Sequence, residues 1–247
     1  MLIRLGIGLI FSMFGLAVYA QNVDVKIVIA VDASGSVDPR EFRLQIEGIS
    51  RAIRHPDVQT AATSGQAGQV MAAVLVWSDA SYPKYPTEWH LLNTPQSFEK
   101  FAVEIDTFNI RTPGVPAVGG GGTNIGDALV YAISMLKNNP ATAAREVVDV
   151  SGDGPETKPW NGGAIELPDA RDLAYRRGVT VNGLAIETDV VGLHLWYEHN
   201  LITGAGSFVE VATDFEDFKQ AIVRKLLREL SGAPFAQLKP IRLAKHQ

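Results

Sequence analysis

The sequence predicts an α/β protein: a three-layer, doubly wound, mostly parallel sheet of six strands flanked by helices. Two observations carry that expectation. The apolar runs at residues 25–31 and 70–77 lack the alternation of a half-exposed strand, so they read as strands buried on both faces. Between such runs lie segments with apolar residues at three- and four-residue steps, the stripe of a helix that covers a sheet. Strands alternating with helices imply parallel neighbours joined by crossover connections.

Each element has a local reason. After the first strand, Asp38 is an N-cap, Pro39 fits the first helical position and Glu41 completes a capping box. Phe42, Ile46, Ile49 and Ile53 then give that helix one apolar stripe. Residues 70–77 form a second central strand, and residues 88–92 a shorter, more polar one at an edge. Residues 95–108 read as helix. Residues 123–136 form a further helix, with Ile125, Leu129, Ile133 and Leu136 on one face. Strand 146–151 follows, then helix 168–177, stopped by Gly178. Strand 179–186, helix 193–202, strand 208–211 and helix 215–230 complete the pattern. The last helix carries Phe218, Ile222, Leu226 and Leu230 at four-residue steps.

Three segments are expected. Residues 1–20 carry one charge, Arg4, then an apolar run, and end in Val18-Tyr19-Ala20. This is the pattern of a secretory signal peptide cut after Ala20, and the run is short for a permanent membrane span. Residues 21–230 form one α/β domain, large enough to bury roughly 70–75% of its unfolded surface. Residues 231–247 hold Pro234, Pro240 and three basic residues with little periodicity, and read as a loose extension. The mature protein is thus expected in the periplasm or outside the cell, without a membrane span.

Composition narrows the chemistry. With 46% hydrophobic and 20% charged residues the chain is neither disordered nor fibrous. A net charge of −5, one unit more negative once Arg4 leaves with the leader, makes nucleic acid a poor partner. The absence of cysteine excludes disulfides, thiolate metal sites and cysteine catalysis.

Ligands of open α/β sheets bind at the carboxyl ends of the strands. After the first strand comes Asp32-Ala33-Ser34-Gly35-Ser36. After the glycine run 119–122 comes Thr123, at a helix start. After strand 146–151 comes Gly152-Asp153-Gly154. In an extended loop Asp32, Ser34 and Ser36 can face one ion together, and Gly35 lets the backbone bend around it. Two carboxylates and three hydroxyls are hard oxygen donors. They suit Mg²⁺, Mn²⁺ or Ca²⁺ rather than zinc or copper.

Asp-x-Ser-x-Ser, a distant Gly-Gly-Thr and a later Gly-Asp-Gly, in this order, resemble the metal-ion-dependent adhesion site of von Willebrand factor A domains. The resemblance extends from about residue 23 to 230. It implies that Ser34 and Ser36 bind metal directly, Thr123 directly or through water, and Asp32 and Asp153 mostly through metal-bound waters. It also implies Mg²⁺ as the first candidate ion, with Mn²⁺ or Ca²⁺ as alternatives, and a partner protein whose Glu or Asp carboxylate completes the shell. Segments 196–200, 202–209 and 218–230 resemble an exported bacterial group of such domains without assigned function. The chain departs from the family at Gly152, where Thr commonly precedes Asp.

Other readings compete. Asp32, Ser34 and Ser36 could form only a local turn. Asp149 is expected to be structural or exposed, Asp79 solvated or a supporting residue, and Asp127 a first-turn helix acid. The five histidines are scattered, and the five-residue spacing of His194 and His199 is poor for a shared metal. Trp196 and Tyr197 read as packing residues. No Gly-x-Ser-x-Gly elbow, P-loop or general base marks an enzyme. The expected function is therefore a metal-dependent protein-binding module and not an enzyme. The alternatives are a metal-dependent hydrolase of a phosphoester-like substrate and a scaffold with a stabilising metal.

Overall fold

The computed structural model describes residues 21–108, 121–157 and 165–231. The leader at 1–20, the extension beyond Ser231 and the first two glycines of the 119–122 run lie outside the described residues. The described chain runs β1 (Asn22–Asp32), α1 (Pro39–Arg54), α2 (Pro56–Thr63), β2 (Val70–Trp77), β3 (Tyr85–Pro86) and β4 (His90–Leu92). It continues α3 (Pro95–Thr107), α4 (Ile125–Asn138), β5 (Thr142–Gly152), α5 (Leu167–Arg176) and β6 (Val179–Ile186). It ends with α6 (Leu193–Asn200), β7 (Val209–Ala212) and α7 (Phe218–Leu230).

The architecture is the expected doubly wound α/β sheet. The strand order is β3-β2-β1-β5-β6-β7, with β4 also paired to β2. β1 lies at the centre, parallel to β2 and β5, and only β3 and β4 run antiparallel, both against β2. The edge strand expected at 88–92 is β4, and β3 is a further short strand ahead of it, so the sheet has seven strands among the described residues. Between β3 and β4, Thr87 continues the pairing through its side chain: its Oγ1 accepts from Val74 N at 2.9 Å.

Strand alternation divides the core in two. Val25, Ile27, Ile29 and Val31 face α1, α2, α3 and α7. Val28 and Ala30, with Leu75 and Trp77 of β2, face α4, α5 and α6. The capping box that starts α1 is present, with Asp38 accepting from Arg40 N and Glu41 N. Helix α2 has no counterpart in the sequence reading. Only Val58, Ala61 and Ala62 of its eight residues are buried, too few to make a stripe.

α4 begins at Ile125 because Asn124 is its N-cap, accepting from Asp127 N at 3.0 Å. Thr123 therefore sits in the turn before the helix rather than inside it. Beneath the first core face, Lys225 of α7 is buried between Asp149 of β5 and Glu229, and Glu229 also accepts from Asn182 of β6. Asp149 is thus structural, as expected, and points away from the sheet edge that carries the candidate site. No helix of the described residues is long and apolar enough to cross a membrane.

Candidate metal centre

The carboxyl ends of β1 and β5 and the turn before α4 meet at one edge of the sheet. Asp32 ends β1 beside Trp77 of β2, with Gly152 at the end of β5. The Asp32 side chain is fully buried. Its Oδ1 accepts from Ser34 N at 2.7 Å, while its Oδ2 is buried with no protein partner. Ser34 Oγ lies 3.3 Å from Ser36 Oγ. Ser36 is exposed and donates to Asp153 Oδ1 at 2.7 Å. Asp153 Oδ2, like Asp32 Oδ2, is buried without a partner. A continuous line of oxygens thus links Asp32, Ser34, Ser36 and Asp153.

Thr123 joins them through backbone ties. Gly35 N donates to Gly121 O at 3.3 Å, connecting the first motif to the glycine loop. A Cβ placed on Gly154 would lie 3.9 Å from Thr123 Oγ1, so the threonine hydroxyl faces the third motif. Thr157 clamps the backbone of Thr123: Oγ1 accepts from Thr123 N at 2.7 Å and Thr157 N donates to Thr123 O at 2.8 Å. One residue earlier, Glu156 accepts from Ile125 N at 2.5 Å and Gly126 N at 3.2 Å, closing the first turn of α4. Burial raises the Glu156 carboxyl from 4.5 to about 7 despite those donors.

All five sequence-selected residues are therefore brought together. Among the described residues no three His, Cys, Asp or Glu side chains cluster as a metal site. The constellation is two carboxylates and three hydroxyls. Its electrostatics favour a cation. Burial, then the neighbouring Asp153 charge, pushes the Asp32 carboxyl up from 3.8 to about 7, and burial raises Asp153. Two buried carboxylate oxygens with no protein donor fit a hard divalent ion.

The remaining acidic candidates have other work. Asp79 Oδ1 accepts from Ser81 N, Ser81 Oγ and Tyr82 N, and its Oδ2 lies 1.5 Å from where a Cβ on Gly121 would stand. It braces the glycine loop, where Gly121 has φ 91°. Asp127 is the first-turn acid of α4 and accepts from Ile165 N at 2.9 Å. His90 meets Glu104, His194 meets Glu187 and His55 caps α2, each with a separate partner.

The sequence reading missed Glu156, Thr157 and one further group, Tyr197. Tyr197 is fully buried, and its hydroxyl has no protein partner. A Cβ placed on Gly152 would lie 2.8 Å from both Tyr197 OH and Asp32 Oδ2. The departure from the family pattern at Gly152 thus has a steric reason. Burial and the charges of Asp32 and Asp153 push the Tyr197 phenol well above 10, so it keeps its proton and has it to offer. The signal for Tyr197 was a polar tip within an apolar four-step stripe, Leu193, Tyr197 and Leu201, opposite two strand glycines.

A family model described as "Protein of unknown function (DUF1194)" matches residues 22–234, and the chain belongs to that family. No curated protein matches the chain. Among solved structures, proximal thread matrix protein 1 of the mussel byssus is 18% identical at a TM-score of 0.58, over 86% of this chain and 47% of that one. A further structure of that mussel protein, at a TM-score of 0.56 and 16% identity, is described as having a zinc-occupied MIDAS motif, and 84% of this chain covers 48% of it. The von Willebrand factor domain of the type V pili tip protein Mfa5 from Porphyromonas gingivalis is 10% identical at 0.54, over 86% of this chain and 98% of that one. The pilus adhesin SpaC from Lactobacillus rhamnosus GG is 13% identical at 0.57, over 84% of this chain and 31% of that one. This chain therefore spans about half of the mussel protein and a third of the adhesin. At these identities the likeness establishes the fold, which is that of a von Willebrand factor A domain.

Proposed function

We propose that this member of a family of unknown function is an exported module that binds another protein through a divalent cation. The ion is Mg²⁺ by first preference, held by Asp32, Ser34, Ser36, Thr123 and Asp153. The observation that carries this reading is the pair of buried, unpartnered carboxylate oxygens beside three hydroxyls at one sheet edge. When bound, the ion supplies a Lewis-acidic position that a Glu or Asp carboxylate of the partner completes.

The residues divide the work. Ser34, Ser36 and Thr123 supply neutral oxygens, so the ion keeps net positive character toward an incoming anion. Asp32 and Asp153 neutralise part of its charge from buried positions. Ser36, exposed at the rim, marks the side from which a partner approaches. The cationic leader pattern at residues 1–20 supports export. The pilus and byssus proteins of like fold support an interaction role. The five residues include no histidine to serve as a general base for Ser34 or Ser36, which favours the binding reading over a hydrolase.

The test is metal-gated capture. Immobilised wild-type protein is exposed to envelope extract in Mg²⁺, then eluted with EDTA, beside Asp32→Ala. Proteins released by EDTA and absent from the variant are the expected result. Capture that persists in EDTA and in Asp32→Ala contradicts the carboxylate mechanism.

A further inference from the structure

Tyr197 occupies a place that costs the fold stability at several points. Its ring enters from α6 over β5 and β6, and both strands carry glycine where it passes. A Cβ on Gly183 would lie 2.6 Å from Tyr197 Cδ2, and one on Gly152 would lie 2.8 Å from its hydroxyl oxygen. Glycine inside a strand weakens the strand and marks a close approach. The hydroxyl itself is buried with no protein partner, which is unfavourable relative to phenylalanine. Packing alone is satisfied by a phenylalanine here, since the ring is surrounded by Leu193, Leu201 and the rest of the second core face.

These features converge on one atom. The point 2.8 Å from Tyr197 OH is also 2.8 Å from Asp32 Oδ2, the carboxylate oxygen that lacks a donor. A protonated phenol is a donor and an ionised carboxylate only an acceptor, so the two orphaned groups are complementary. Trp77 Nε1, a second buried donor without a partner, belongs to the strand position paired with Asp32. On the reading that Asp32 serves a metal centre, we propose that Tyr197 is a positioning residue of that centre. Its hydroxyl, admitted by Gly152 and Gly183, orients the inner oxygen of Asp32 through one water bridging the space between them. The carboxylate is thereby held in the geometry the ion requires, without Tyr197 touching the ion. Groups that orient metal-binding carboxylates in this way typically change metal affinity 10- to 100-fold.

The experiment is calorimetric titration of Mg²⁺ into the wild-type protein, Tyr197→Phe and Asp32→Ala, with the near-ultraviolet tyrosine difference spectrum recorded at each addition. Tyr197→Phe keeps the ring and is expected to melt in EDTA no lower than wild type. Its Mg²⁺ dissociation constant is expected to rise roughly 10- to 100-fold. Mg²⁺ is expected to perturb tyrosine absorption in wild type and not in Tyr197→Phe. A Tyr197→Phe protein that binds Mg²⁺ as wild type does overturns the proposal. So does weakened binding with the difference spectrum retained, which is the mark of a packing effect. Should Tyr197→Phe melt low in EDTA, the wild-type spectrum decides alone: no tyrosine perturbation on Mg²⁺ binding is contrary to it. Failure of the metal reading looks different: wild type takes up no Mg²⁺, or Asp32→Ala binds as well as wild type, and the assignment of Tyr197 falls with it.

Discussion

At the scale of single residues, the site depends on what is absent as much as on what is present. Gly152 leaves room for Asp32 Oδ2 and Tyr197 OH, each 2.8 Å from its missing Cβ. Gly152→Ala is therefore expected to destabilise the protein by about 1–3 kcal/mol, read from the urea midpoint; an unchanged midpoint is contrary to the steric account. Glu156 gives a pH prediction. Its folded value of about 7 lies above its ordinary 4.5, so the folded state holds a proton that the unfolded chain has released between those values. The stability it contributes is full below pH 4.5 and is lost as pH rises through about 7. Glu156→Gln is expected to flatten that part of the melting-temperature profile between pH 4.5 and 7.5, and an identical slope in both proteins counts against it. The motif residues Asp32, Ser34, Ser36, Thr123 and Asp153 were legible in the sequence because short spacings and strand ends fix them. Glu156, Thr157 and Tyr197 were not, because each acts on a residue that is distant along the chain.

At the scale of elements, two contacts set the site's frame. The segment after β5 holds the start of α4 through Thr157 and Glu156. Thr157→Ala removes the side-chain acceptor of Thr123 N, and about 1 kcal/mol of stability is expected to go with it. That corresponds to a fall in melting temperature of roughly 2–4 °C. On the other face, Lys225 bridges Asp149 and Glu229 in a buried cluster that fastens α7 to β5 and β6. Lys225→Met leaves two buried carboxylates and is expected to cost about 3–5 kcal/mol by urea denaturation. Asp149→Asn leaves a neutral Lys225–Glu229 pair and should cost less; the reverse order contradicts this picture of the cluster. Long, strongly patterned elements such as β1, β2, α1 and α7 were readable from periodicity. The short α2 and the two-residue β3 were not, because so few of their residues are buried that no period develops.

At the scale of the whole molecule, the central parallel strands and their crossovers bring motifs about ninety and thirty residues apart to one edge. The fold class was legible because buried parallel strands and amphipathic helices alternate along the whole domain. The depth of the site was not, since the burial of Asp32 and Asp153 depends on segments that meet only in the folded chain. A ligand that binds only the folded state stabilises it by about 2.7 kcal/mol at a hundredfold excess over its dissociation constant. Saturating Mg²⁺ is therefore expected to raise the melting temperature by roughly 5–10 °C, and to leave Asp32→Ala unmoved. The most direct test is calorimetric titration of Mg²⁺ into wild type, Asp32→Ala and Asp153→Ala. The account predicts saturable binding of one ion per chain in wild type and none in either variant. Equal binding in all three, or no binding in wild type, would contradict it.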